Sequence, residues 1–304
     1  MADGTQEAHF TSQRRSYHAL LRDKVLRLED GVPSNADMGN TASKAIALGI
    51  FKRIGLETSG PLRAKTAGRE FEMATAAFLR ETFGKLSHLR PGDWIVQRIG
   101  EEERDHDPKK KEEVRDFEKL IKIARFEQYA HLIAIAKAAG ENAELAASLG
   151  IDYIVEPDMV IYRDLVDDDE INQNELLVDN TVALMSSLRK KNTGSPLLHA
   201  AVSCTLTINN DLSQDLRSEA TELIRNRRGK LPHLVVVTAE PLPSRLASVA
   251  LGSSGIDCVY HFALPELRET VRVLGLADSE ESLNIMVNGK RLKDISDLPL
   301  DLAV

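Results

Sequence analysis

The run Leu197-Leu198-His199-Ala200-Ala201-Val202-Ser203-Cys204-Thr205-Leu206-Thr207-Ile208, then RSEATELIRNRRGK (217–230), then Leu234-Val235-Val236-Val237-Thr238, decides the fold. The first run is short and rich in small and β-branched residues, which suits a strand over 197–208. The second carries apolar residues at helical spacing and stops at Gly229, a residue tolerant of the left-handed turn that ends helices. The third, β-branched after Leu234, reads as another strand. Strand, helix and strand in succession indicate an α/β chain. Outward from this centre, Asp152–Tyr162 and Cys258–Phe262 add two strand candidates. The segments from Thr66 to Leu86 and from Phe126 to Leu149, before Gly150, add helices. The predicted fold is a mixed β-sheet flanked by helices on both faces, in one domain over 1–304. Within it, residues 1–65 are predicted helical and irregular, with a turn at Gly31–Asp37. The stretch 101–119, EEERDHDPKKKEEVRDFEK, interleaves opposite charges around Pro108 and reads as an exposed insertion.

The chain has 304 residues, 42% hydrophobic and 28% charged, enough to bury a sizeable core and too apolar for disorder. No apolar run reaches the roughly 18 residues of a spanning helix, so no membrane partner is expected. The polar start Met1–Glu7 matches no secretory or transit signal, which points to a cytoplasmic protein. Cys204 and Cys258, set in apolar runs, are expected as buried thiols. A net charge of −8 argues against nucleic acid unless basic residues gather on one face. Arg14-Arg15, Arg189-Lys190-Lys191, Arg225 with Arg227-Arg228 and Lys230, and Lys290-Arg291 with Lys293 are candidates for such a phosphate path.

Alternation along the central strand puts Ala201, Ser203, Thr205 and Thr207 on a small, polar face, with Val202, Cys204, Leu206 and Ile208 opposite. Pro157 cannot donate to a ladder, so Asp158 is expected at a strand edge or bend that leaves its carboxylate at the sheet margin. Glu219 follows on the next helix, and Glu72 lies on the early amphipathic one. Hard oxygen ligands of this kind suit Mg²⁺, which takes one or two carboxylates with waters and phosphate oxygens.

Five stretches carry a resemblance over nearly the whole chain: HLRPGDW (88–94), ARFEQYAHLIAIAKAAGENAELAASLG (124–150), RSEATELIRNRRGKLPHLVVVTAEPLPSR (217–245), GIDCVYHFALPEL (255–267) and IMVNGKRLKDISDLPLDLAV (285–304). They resemble the NgoMIV family of type II restriction endonucleases, within the PD-(D/E)xK superfamily. The resemblance implies a restriction-endonuclease core assembled as a homo-oligomer, a dimer or a tetramer. It implies a restriction-modification enzyme that hydrolyses phosphodiesters of double-stranded DNA at CCGG-containing sites with Mg²⁺, for which Mn²⁺ can substitute.

Carried over by that resemblance, the catalytic positions are Asp158, Ser203, Thr205, Glu219 and Glu72, with Asp158, Glu219 and Glu72 as metal ligands. The family has lysine where this chain has Thr205. Its Arg-x-Asp-Arg reading run falls on Asn209-Asn210-Asp211-Leu212, where the aspartate stays and both arginines are gone. Arginine forks pair with guanine and aspartate accepts from cytosine, so Asn209 and Leu212 withdraw contacts of about 1–3 kcal/mol each while Asp211 keeps its own. Asp37, in the turn near 34–37, and Arg245 match two further base-reading positions. The implied function is a Mg²⁺-dependent endonuclease with a CCGG-related or altered site. The alternative is a catalytically impaired DNA-binding or assembly homologue.

Overall fold

The computed structural model describes residues 7–56, 64–99, 122–140, 157–253 and 255–304. The charged stretch 101–119, the start of the Asp152–Tyr162 strand candidate and the helix end near Gly150 lie outside the described residues. Six described strands form one mixed sheet in the order β3-β4-β5-β6-β7-β8. They are β3 (Trp94–Arg98), β4 (Met159–Arg163), β5 (Leu197–Thr205), β6 (His233–Thr238), β7 (Cys258–His261) and β8 (Leu292–Asp294). A hairpin of β1 (Leu28–Glu29) and β2 (Val32–Pro33) precedes them. The helices that carry the argument are α1 (His9–Lys24), α2 (Thr41–Arg53), α3 (Ala64–Phe83), α4 (His131–Gly140), α5 (Asp168–Ile171), α6 (Asn210–Asn226), α7 (Pro243–Ala250) and α8 (Leu264–Val273). Backbone packing groups the chain into two compact units, one of 1–90, 202–218 and 234–304, the other of 91–201 and 219–233.

In the first unit β6 pairs in parallel with β7, and β7 with β8, in the registers Val236↔Val259 and Tyr260↔Lys293. Leu234 to Val237 are buried, as suits their continuous apolar sequence. Tyr17 and Leu21 of α1 and Phe71, Phe78 and Leu79 of α3 are buried, with the Tyr17 and Phe78 rings 5.3 Å apart. Each such side chain contributes about 1.5–3 kcal/mol on burial. α2 crosses α8 at Gly49, where an added Cβ would stand 2.3 Å from Thr270 Cγ2, so only glycine allows this approach. Arg14 of α1 forks onto Glu266 of α8 (2.8 and 2.6 Å) and onto Asp294 of β8 (both bonds 2.9 Å).

His261, at the end of β7, is fully buried, and its Nδ1 accepts from the Ala263 amide at 3.1 Å. Burial outweighs the nearby Asp294 and Glu266 and lowers its pKa from the ordinary 6.5 to about 4. A depressed histidine pKa keeps its full stabilising effect above pH 6.5 and loses it toward pH 4, because the unfolded chain takes up the proton first. Urea melts of the full chain are therefore expected to lose about 2 kcal/mol between pH 7 and pH 5 from this residue, at about 1.4 kcal/mol per unit. His261→Asn keeps an acceptor for Ala263 and should remove that share of the slope. An unchanged slope would assign it elsewhere.

In the second unit β3 and β4 are antiparallel, Trp94 facing Arg163 and Arg98 facing Met159. Met159, Val160 and Ile161 are buried. Residues 126–130, expected in a helix, form turns, and the described helix begins at His131. The reason lies in Gln128, which copies a strand edge: its Nε2 donates to the Leu198 carbonyl (2.6 Å) and its Oε1 accepts from the Leu198 amide (3.1 Å). Tyr129 and Gln128 then bind the far end of α6, through Tyr129 Oη to the Leu223 carbonyl (3.0 Å) and the Arg228 amide to the Gln128 carbonyl (2.8 Å).

Candidate functional site

The central strand is three residues shorter than expected. β5 ends at Thr205, and Leu206, Thr207 and Ile208 lie beyond it, outside any strand. Thr205 Oγ1 donates to the Thr207 carbonyl at 2.7 Å, which closes the turn, and the Ala239 amide donates to the Thr205 carbonyl at 3.1 Å. With its proton committed to Thr207, the hydroxyl offers outward only lone pairs, which cannot stabilise an anionic oxygen. Ser203, Cys204 and Thr205 are all half-buried. The expectation of a buried Cys204 is thus corrected: it lies near the strand's frayed end. Cys258 is buried, and burial pushes its thiol pKa up to about 11.

The reading run also differs from expectation. The helix predicted over 217–230 begins seven residues earlier, at Asn210. Asn209 is its cap, with Oδ1 accepting from the Leu212 amide at 2.7 Å. Asp211 is exposed and Leu212 half-buried, both in the first turn of α6. Asparagine caps helices by accepting such an amide, so the signal was available in Asn209 itself. Glu219 is half-buried on the same helix, two turns further on.

The turn at 34–37 is built by the hairpin before it. Asp30 (φ 49°) and Gly31 (φ 77°) both take left-handed backbone, the Asp-Gly geometry of a two-residue hairpin turn. Beyond β2, the Ser34 amide donates to the Arg27 carbonyl (2.8 Å), and buried Asn35 donates through Nδ2 to the Ala239 carbonyl (2.7 Å). Asp37 is thereby fixed just ahead of Asn40, the cap of α2, whose Oδ1 accepts from Ser43 N at 2.9 Å. Asp37 and Arg245 form an ion pair with each other, each about one third exposed (32% and 30%). Arg245 sits in the first turn of α7, and its Nη1 lies 3.8 Å from Oε2 of the fully buried Glu240. Glu240 accepts from the Ile208 amide (2.6 Å) and the Leu242 amide (2.9 Å). Burial raises its pKa above the ordinary value, against the pull of those amides and of Arg245. Sequence reasoning passed over Glu240, which stands in TAEPLPSR with no pattern to distinguish it.

Asp158 stands directly before β4, half-buried, and its carbonyl accepts from the Ile99 amide at 2.9 Å, extending the ladder by one bond. This is the sheet-margin placement that Pro157 suggested. Glu72 is half-buried on α3. Among the described residues no three His, Cys, Asp or Glu side chains form a group able to hold a metal by themselves.

Three of the basic clusters spend at least one cation on the fold, while Arg15, Lys190, Lys191, Arg225, Arg228 and Lys230 are exposed. Arg14 is spent on Glu266 and Asp294, and Arg189, 1% exposed, binds Asp168 and the carbonyls of Asp179 and Val182. Arg291 donates to the carbonyls of Ala250, Ile256 and Asp257, and Lys293 binds Asp301. A cavity of about 660 Å³ lies over Arg14, Arg268, Arg272 and Asp294, and none of the expected site residues lines it. Its arginines bind neighbouring acids and Asn284.

Comparison with known proteins decides the relationship: a match to the NgoMIV restriction enzyme family runs from residue 17 to residue 304. The chain belongs to that family. It is 51% identical over 298 residues to the type II restriction enzyme NgoMIV of Neisseria gonorrhoeae, covering 97% of this chain and 99% of that protein. Among solved structures, a PspGI restriction endonuclease bound to its substrate DNA aligns over 99% of this chain and 96% of its own, at 12% identity and a TM-score of 0.32.

Proposed function

We propose that the chain is a divalent-metal-dependent endonuclease of double-stranded DNA, with Mg²⁺ as metal and Mn²⁺ as substitute, acting at a CCGG-related or altered site. The carrying observation is 51% identity to a type II restriction enzyme over almost the whole of both chains. Asp158, Glu219 and Glu72 are the proposed metal ligands. Their hard oxygens fit Mg²⁺, which needs only one or two carboxylates when waters and phosphate oxygens complete its shell. Such a site requires no cluster of three protein ligands in the free protein. When bound, the metal would polarise the scissile phosphate and lower the pKa of the attacking water. Asp158 holds its place by its backbone in the ladder.

Asp37, Asp211 and Arg245 are the proposed base readers. Reading requires Asp37 and Arg245 to exchange their mutual ion pair for base edges, a cost that lowers affinity without erasing selectivity. With Asn209 spent as a cap and Leu212 apolar, selectivity for CCGG should be weak and binding strongly salt-dependent, since phosphate contacts carry most of it. The same engagement of Thr205 and Asn209 favours the second reading, a DNA-binding homologue with impaired catalysis.

A homo-oligomer of two or four copies belongs to the same proposal. Arg189 stiffens the loop after α5 from within, and this loop presents Leu176, Leu177, Val182, Leu184 and Met185 to solvent, Met185 at 94% exposure. An apolar crest on an ordered loop is the kind of surface that a second copy covers. Among the described residues no helix is long and apolar enough to cross a membrane.

Incubating purified protein with mixed-sequence plasmid and Mg²⁺ or Mn²⁺, then sequencing the ends, tests the proposal. Metal-dependent breaks enriched at CCGG-related or another short sequence are expected. Intact DNA, with duplex binding that weakens steeply as salt rises, would leave the impaired reading. No DNA binding at low salt would overturn both.

A further inference from the structure

Four segments converge on the two residues that leave β6. Ala239 binds the Ser34–Asp37 turn through Asn35 and the end of β5 through Thr205. Glu240 binds the start of the α6 segment through the Ile208 amide and the entrance of α7 through the Leu242 amide. Each oxygen of Glu240 serves a different segment, Oε2 for Ile208 and Oε1 for Leu242. Its carboxylate is 0% exposed and cannot itself reach a base.

We propose that Glu240 is the positioning residue of the recognition surface, fixing the start of α6 and the start of α7 in one register and orienting Arg245 when Asp37 leaves it for DNA. The inference rests on the reading of Asp37, Asp211 and Arg245 as base contacts. Arg245 meets Asp37 through Nη2 and faces Glu240 through Nη1, so its two partners occupy different edges of the guanidinium. Asp37 is one third exposed and is held by Arg245 and by the exposed Gly39 amide (2.9 Å to Oδ1), bonds it would exchange for a cytosine amino group. Glu240 is anchored by two backbone amides and stays. An arginine left by Asp37 thus keeps one fixed counter-charge, which limits its rotation and aims its outer nitrogens at a guanine edge. Held this way, a guanidinium loses less rotational freedom on binding than a free one, which favours the matched base over the mismatched one.

The test uses the full chain and a pool of randomised DNA duplexes, sequencing the bound fraction. Glu240→Gln is nearly isosteric but leaves one amide facing an NH₂ group, and it removes the charge beside Arg245. The unaltered chain should enrich a short sequence. Glu240→Gln should cut that enrichment tenfold or more, with the salt dependence of bulk duplex binding unchanged. Arg245→Ala should cut it similarly, and Glu240→Gln with Arg245→Ala should lose less than the two losses combined, because they share the Arg245 contact while Glu240 alone also holds the start of α6. Circular dichroism and melting of each variant separate misfolding from lost reading, and a variant that does not fold is replaced by Glu240→Asp, for which the same loss is expected. Full enrichment in a folded Glu240 variant overturns the positioning role while the DNA-reading function stands. No enrichment by the unaltered chain overturns the reading beneath it.

Discussion

Thr205→Lys should raise the rate of DNA cleavage over the unaltered chain by a factor on the order of 10²–10³, the usual worth of one preorganised charge-stabilising donor. Phosphodiester hydrolysis builds negative charge on the attacking water and the phosphoryl oxygens. The Thr205 hydroxyl points its proton at the Thr207 carbonyl (2.7 Å), so it faces that charge with lone pairs. A lysine at the same half-buried strand end replaces them with an ammonium on a flexible stem. The lost local bond should cost about 1 kcal/mol of stability, small beside the catalytic gain. Thr205→Lys combined with Asp158→Ala should lose the gain, since the added charge works on a phosphate the carboxylate helps to place. If Thr205→Lys cleaves no faster while binding DNA and metal normally, a missing lysine is not the limiting defect. Adding Asn209→Arg and Leu212→Arg then distinguishes a failure to position the phosphate, which should respond to them. That variant should also melt lower, because Asn209→Arg removes the α6 cap, worth about 1 kcal/mol.

The largest expected loss of stability comes from Arg14→Met. Arg14 forks onto two carboxylates whose side chains are 18% (Glu266) and 9% (Asp294) exposed. Asp294 also accepts from the Leu264 and Ser296 amides, so it cannot swing out to water when Arg14 is gone. Removing one partner of a buried ion pair typically costs about 3–5 kcal/mol, because the remaining charge stays desolvated. Burial alone would raise the pKa of Asp294 and Glu266, but Arg14 holds both below the ordinary carboxylate values. Depressed carboxylate pKa values stabilise the fold fully above the unfolded values, and this is lost as pH falls through the folded ones. The gap in urea midpoint between wild type and Arg14→Met should therefore be full at pH 7 and close as pH drops below about 4. A variant of equal stability at pH 7 would mean that the two forks are balanced by their desolvation.

These contacts mark what the sequence could and could not tell. The strands at 234–238 and 258–262, the helix from Thr66 and the sheet-margin place of Asp158 were legible because continuous apolar runs, helical spacing and proline act locally. Trp94–Arg98 and Leu292–Asp294 were missed because short edge segments carry mixed polarity and owe their strand form to a neighbour. The turn from Gly31 was legible, but the hairpin that Asp30-Gly31 closes and the Asn209 cap, both with local signatures, were passed over. Arg14 and Arg189 read in sequence as candidates for a phosphate path. Their acids come from Glu266 and Asp294 in one case and Asp168 in the other, all distant along the chain, so no local pattern announced burial. The proposed catalytic and reading positions come from family resemblance alone. The role of Glu240 became visible only with the two amides on its oxygens.

Nicking of supercoiled plasmid by the purified wild-type chain in Mn²⁺, beside Asp158→Ala at equal DNA occupancy, tests the metal-dependent nuclease most directly. Nicking that needs the metal and disappears in Asp158→Ala is the expected result. Equal nicking by both chains, or nicking that persists with the metal chelated, would contradict it.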